Sequence, residues 1–101
     1  LGHIGWCHYR LNNYYKSIEF NQKALALAPN QLWIQCNLAL ATLHTGEVET
    51  AKKHYEKAVG LAENTAEFKR CILVDLREAL EKNPDLEGGR EVLEWLEGWS
   101  F

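Results

Sequence analysis

The residues best suited to metal binding or nucleophilic chemistry lie near the start of the chain. His3 and Cys7 are four residues apart, which places both on one face of a helix, and His8 follows Cys7 directly. Two ligands on one face, without a third and a fourth, do not make a zinc site, so we predict no metal and no other cofactor. Cys7 and His8 cannot form a catalytic dyad, because neighbouring helical residues point about 100° apart.

The remaining candidates for chemistry are carboxylates and glycines. Glu47, Glu49, Glu91 and Glu94 occur among surface charges, with no apolar pocket to raise a carboxyl pKa. The pair at 88–89, Gly-Gly, lacks both the following Lys and the preceding strand of a phosphate-binding loop. The sequence therefore predicts a protein that is not an enzyme.

Composition narrows the class of partner. The chain has 101 residues and a net charge of −3, with its basic residues scattered, so no basic stripe is available for nucleic acid or an anionic membrane. Its apolar runs are far shorter than the roughly 20 residues that span a bilayer.

Cys7, Cys36 and Cys71 are widely spaced and form no CxxC pair, which favours reduced thiols. We expect one soluble, cytoplasmic domain over 1–101 and, since no Met is present, a part of a longer protein.

Helical periodicity and turn residues predict six helices and a tail at 98–101 with no clear preference. The first helix is predicted to turn Leu1, Ile4 and Leu11 inward, and the second to bury Leu27. The predicted helices span about 1–11, 14–28, 31–44, 48–62, 66–82 and 90–97.

Turn and cap residues set these boundaries. Asn12 and Gly46 supply the left-handed backbone that tight helix-to-helix turns require. Pro29 ends the second helix, and Asn30 is predicted to cap the third. Asn64 and Glu67 have the spacing of a capping box, in which each side chain accepts from the other residue's backbone N–H.

An internal repeat connects these helices. The segment 23–30, Lys-Ala-Leu-Ala-Leu-Ala-Pro-Asn, returns as 57–64, Lys-Ala-Val-Gly-Leu-Ala-Glu-Asn, at an offset of 34 residues. Superposing 1–31 on 35–65 also aligns small residues that let helices approach closely. These aligned pairs are Gly5 with Ala39, Ser17 with Ala51, and Ala24 with Ala58.

The repeat resembles the tetratricopeptide repeat (TPR), whose motif is W-x2-L-G-x2-Y, then A-x3-F, then a small residue and Pro. The likeness covers about two-thirds of the chain, with departures such as Gln35 at the Trp position and Glu63 at the Pro position. It implies an all-α solenoid of antiparallel helix-turn-helix units. The first repeat would span about 1–31, the second about 32–65, and a degenerate third helix pair or C-terminal cap about 66–101.

The resemblance implies a non-enzymatic scaffold that binds a peptide or helix in a concave groove lined by the first helix of each pair. Only Asn37 matches the positions that grip a chaperone's C-terminal carboxylate in one TPR subclass, so that ligand is disfavoured. The alternative for the groove aromatics is burial, either in the solenoid core or against further repeats upstream in a longer protein. The groove positions carried over are Trp6, Tyr9, Arg10, Trp33, Cys36, Leu40, Leu43, His44, Arg70, Val74 and Arg77.

The aromatic C-terminal segment 95–101 supports an alternative function. If it were exposed, it would form an apolar patch typical of interfaces, and the chain would be a structural or self-association segment of a larger protein, dimerising through its tail. Two further alternatives are docking in the groove of another copy and continuation into a neighbouring domain. Our expectation is that the tail folds back onto the third helix pair.

Overall fold

The structure, a computed structural model, describes residues 2–99. Every regular element in that range is helical, which confirms the predicted all-α fold. The bounds of the first four helices lie within about one residue of those predicted. The elements are α1 (Gly2–Arg10), α2 (Tyr14–Leu27), α3 (Leu32–His44), α4 (Val48–Leu61), α5 (Thr65–Phe68), a π-helical segment (Lys69–Leu73), α6 (Val74–Lys82) and α7 (Gly89–Glu97).

The two repeat units are helix pairs closed by equivalent turns. Asn12, with φ of 63°, joins α1 to α2, and Gly46, with φ of 86°, joins α3 to α4. The two positions are 34 residues apart, as the repeat predicts. α1 packs on α2, α3 packs on α4, and α2 packs on α3, so the units stack in chain order as a TPR-type solenoid.

The centre of the solenoid is α3, in which every residue from 34 to 43 is buried. A helix that is apolar on nearly all sides needs neighbours on all sides. α1 and α2 cover one side of α3, while α4 and the π-helical segment cover the other. Alanines at 0% exposure allow the close approach of these helices: Ala39, Ala41, Ala51 and Ala58.

Three of the residues predicted to face inward in the first two helices are exposed instead. Ile4 and Leu11 are 45% and 70% exposed, and Leu27 is 79% exposed, while Leu1 lies outside the described residues. The buried residues of α1 are Gly2 and Gly5, because the helices meet where side chains are smallest. Leu38, the equivalent of Ile4 in the second unit, is only 3% exposed because the first unit packs against α3.

The third helical stretch contains an irregular turn. α5, the π-helical segment and α6 follow one another without a break from Thr65 to Lys82, and the backbone N–H of Val74 donates to the carbonyl of Lys69, five residues back. The first half of the predicted capping box is confirmed, since Asn64 Oδ1 accepts from the N–H of Glu67 at 2.9 Å. The Glu67 carboxylate accepts instead from the N–H of Glu63 at 3.2 Å.

The end of the described chain closes the apolar side of the solenoid. Val92 and Leu96 of α7 are fully buried, and Trp95 and Trp99 pack against the core with their rings 5.3 Å apart, edge to face. The expected folding back is therefore confirmed as far as Trp99, whereas the last two residues of the aromatic tail lie outside the described residues.

The predicted cap at Asn30 is wrong, because Gln31 occupies the N-cap position of α3 and makes no side-chain cap.

None of the helices between residues 2 and 99 is long and apolar enough to cross a membrane.

Candidate functional site

Three adjoining cavities lie between α1, α3 and α6, and together they form what we call the groove. The first, the tryptophan cleft, has a volume of about 270 Å³ and is lined by His3, Trp6, Trp33, Asn37 and Asp75. A central cavity of about 30 Å³ shares Trp6 and Asp75 with it. The third, the tyrosine cleft, measures about 370 Å³, and its lining includes Tyr9, Arg10, Tyr14, His44 and Lys82.

Aromatic contacts hold the groove side chains in fixed orientations. The rings of Trp6 and Tyr9 stack at 5.1 Å with an interplanar angle of 15°. The Tyr9 hydroxyl and Nε2 of His44 are joined by a hydrogen bond of 3.1 Å. The ring of Tyr14 stacks on His44 at 4.3 Å. Side chains held in this way lose little further conformational freedom when a ligand binds.

Burial keeps the central pair of this network uncharged. It lowers the pKa of His44 below its ordinary value and raises the pKa of Tyr9. Near neutral pH the groove therefore presents an imidazole and a phenol, both neutral, at its tyrosine end.

The charges of the groove are divided between α1 and α6. Lys82 pairs with Glu78 at 3.2 Å, and both side chains remain exposed. The guanidinium carbon of Arg10 lies 6.0 Å from the centre of the Trp6 ring. Burial, followed by the nearby charge of Glu78, raises the pKa of Asp75, and the charge of Arg10 partly opposes that shift.

Six of the residues predicted to line the groove do so. Trp6, Tyr9 and Arg10 come from α1, and Trp33, Leu40 and His44 come from α3. Trp33 is 39% exposed, whereas Leu40, at 2%, forms the floor. The aromatics differ in burial, because Tyr9 packs against the core whereas Trp33 stays exposed, and all three rings border open cavities.

Two of the predicted residues are in the core instead. Cys36 and Leu43 are 4% and 0% exposed, because the π-helical segment and α4 cover their side of α3. Burial also raises the pKa of the Cys36 thiol. A partner in the groove cannot contact either side chain, so the prediction that they line it is wrong.

The predicted groove residues of the third stretch are displaced as well. Arg70 and Val74 are exposed but line none of the three cavities, and Arg77 pairs with Glu97 of α7 at 2.7 Å. Arg70 lies within the π-helical segment itself. For Val74 and Arg77, which follow that segment, the 34-residue register assumes a regular α-helix, whereas the π turn inserts one extra residue and rotates the rest of the helix about its axis. The residues of α6 that do line the groove are Asp75, Glu78, Ala79 and Lys82.

A different signal would have found these residues. The buried residues of the third stretch are Phe68, Ile72, Leu73, Leu76 and Ala79. These apolar residues form one stripe along the helix. If the helix is oriented by this stripe alone and not by the 34-residue repeat, Asp75 and Glu78 lie on an adjoining face. His3, which was not predicted to line the groove, also borders it, and so does Asn37, the one match to the carboxylate-gripping positions.

Within the described part of the chain, no three His, Cys, Asp or Glu side chains are grouped closely enough to hold a metal ion.

Comparison with known proteins fits this architecture. The family model for the tetratricopeptide repeat matches residues 1–31 and 34–65, so this chain belongs to the TPR family. Repeats of this family generally mediate protein–protein interactions and are typically not enzymes. Comparisons with curated proteins and with solved structures found no match.

Proposed function

We propose that this chain binds a peptide or helical segment of a partner protein along the groove. The observation that carries the proposal is the run of adjoining cavities across α1, α3 and α6, with Trp6 in the wall of two of them. A continuous concave surface suits an elongated ligand better than a compact one.

The residue types of the groove support the same function. Aromatic side chains and Arg dominate binding energy at protein interfaces, particularly where they line pockets. Trp6, Tyr9 and Trp33 border the groove, and Arg10 lies beside them. Trp6 and Tyr9 stack on each other before a partner arrives, which lowers the entropic cost of association at these two residues.

The test is a selection of binding peptides from a random library on the intact chain, followed by affinity measurements with purified variants. Trp33→Ala should weaken the selected peptides by about 30-fold, because truncating a Trp anchor costs about 2 kcal/mol or more. Arg70→Ala is the matched control, since Arg70 is exposed on the neighbouring stretch and borders none of the three cavities. We expect it to leave affinity unchanged.

Two results would contradict the proposal: no peptide is enriched, or Trp33→Ala and Arg70→Ala have equal effects. Sedimentation of the intact chain at several concentrations tests the self-association alternative separately. A monomer at all concentrations would count against dimerisation through the aromatic tail.

A further inference from the structure

The tryptophan cleft contains one carboxylate among rings and an amide. Asp75 lies there with His3, Trp6, Trp33 and Asn37. Within residues 2–99, Asp75 has no hydrogen bond and no ion-pair partner, and the only favourable charge acting on it comes from Arg10. Arg10 itself borders the central cavity and the tyrosine cleft. The cleft therefore holds a half-buried acid with room for a ligand beside it.

The electrostatic setting of Asp75 favours a positive charge. Burial removes water from the carboxylate and Glu78 adds a like charge nearby, and together they raise the pKa of Asp75. A cation in the cleft would pair with the ionised carboxylate, and its charge would oppose this rise in the pKa. A ligand carboxylate would instead add a third negative charge next to Asp75 and Glu78.

The rings of the cleft favour the same ligand. Trp is the best aromatic partner for a cation, which is attracted to the negative face of the ring. Arg10 already shows this attraction, with its guanidinium carbon 6.0 Å from the centre of Trp6. The rings of Trp33 and His3 lie 5.2 Å apart, and Trp33 is 39% exposed, so part of it is accessible.

We propose that the tryptophan cleft binds the cationic side chain of an arginine or lysine in the partner segment. The cation pairs with the Asp75 carboxylate and lies against Trp6 and Trp33, while Asn37 borders the same space. This inference rests on the proposed function and gives the partner its chemistry, that of a basic peptide.

The direct test uses two tripeptides that differ only in charge. Acetyl-Ala-Arg-Ala-amide is titrated into the intact chain and the indole N–H signals of the Trp residues are followed by NMR, and the same is done with citrulline in place of arginine. We expect weak, saturable binding of the arginine peptide and affinity about three- to tenfold lower for the citrulline peptide, since cation–π and exposed ion-pair contacts are individually small.

Variants distinguish Asp75 from general surface charge. Asp75→Asn should lower affinity for the arginine peptide to that of the citrulline peptide, whereas Asp85→Asn, the same change at the chain's other aspartate, should not. Asp85 is exposed in the loop between α6 and α7. Trp33→Phe keeps a ring in place and should weaken binding of the arginine peptide, because Phe attracts cations less strongly than Trp.

The key variant, Asp75→Asn, is expected to fold. Because the folded state raises the pKa of Asp75, ionised Asp75 opposes folding at neutral pH, so Asp75→Asn should retain or exceed the original melting temperature. A melting curve of this variant checks that expectation.

Equal binding of the arginine and citrulline peptides would overturn the inference, as would an Asp75→Asn variant that binds arginine as well as the original chain. Selected library peptides that bind the groove without Arg or Lys, and tolerate Asp75→Asn, would overturn it while leaving groove binding intact. Failure to select any peptide would contradict groove binding, whereas the tripeptide titration would still decide the chemistry of the cleft.

Discussion

The close approach of α1 to α2 offers a sharp test of how the groove is built. Gly5 of α1 faces Asn21 of α2, and a methyl group added at Gly5 would lie 2.8 Å from the Asn21 side chain. Asn21 is fully buried and its amide Nδ2 donates to the carbonyl of Ser17 at 2.9 Å, so it has little freedom to move. Gly60 of α4 is also helical, but an added methyl group there would have no neighbour within 4 Å.

Gly→Ala at these two positions should have different effects. In a helix the change is worth up to about 1 kcal/mol of added stability, through the higher helix propensity of Ala. At Gly60 nothing opposes this gain. At Gly5 overpacking against Asn21 costs about 1 to 3 kcal/mol, so the Gly5→Ala variant should be less stable than Gly60→Ala by about that amount.

Thermal and urea unfolding followed by circular dichroism would measure the difference. For a domain of this size 1 kcal/mol corresponds to a shift of about 4 to 8 °C in melting temperature, so the two variants should be clearly separated. Combining Gly5→Ala with Asn21→Ala removes the blocking amide. Relative to Asn21→Ala alone, the added methyl group should then cost little.

Equal stability changes for Gly5→Ala and Gly60→Ala would refute the reasoning. It would mean that α1 does not depend on close contact with α2, and that Trp6 and Tyr9 are not positioned by it. The prediction therefore bears on the groove as well as on stability.

Three other predictions concern single sites. Burial lowers the pKa of His44 below its ordinary value of 6.5, so the unfolded chain binds a proton at this residue more readily than the folded chain does. The free energy of unfolding should therefore be at its full value above pH 6.5 and fall as the pH drops below it. In urea unfolding, the His44→Gln variant should lose less stability at low pH than the original chain. An alkylating reagent should modify exposed Cys7 in the native protein and buried Cys36 only after unfolding, which mass spectrometry would show; rapid native labelling of Cys36 would contradict its burial. The exposed pair of Arg77 and Glu97, at 2.7 Å, should contribute only about 0.2 to 1 kcal/mol in a double-mutant cycle.

Local signals made the helices predictable from the sequence. Pro29 comes soon after the end of α2, and Pro84 comes soon after the end of α6 at Lys82. Asn12 and Gly46 have the left-handed backbone that their residue types allow. These features depend on neighbours along the chain, which is why element type and boundaries could be predicted from the sequence.

The facing of α1 required the tertiary structure. Ile4 and Leu11 are apolar and helically spaced, yet they are exposed, while Gly2 and Gly5 are buried. Helical periodicity predicts that the apolar face is buried, whereas close contact between helices favours burial of the smallest residues. Only the packing of the neighbouring helices shows which set of residues is buried.

The sequence by itself determined an all-α repeat protein, because helix propensity, turn chemistry and the 34-residue period follow from the residue types. Its resemblance to the TPR family indicated six residues of the groove. The tertiary structure decided which residues of α6 face that groove. One extra residue in the π turn brings Asp75 to a cleft where a regular helix in the repeat register would have brought Val74. That change replaces an apolar side chain with a carboxylate, and so it sets the charge of the site.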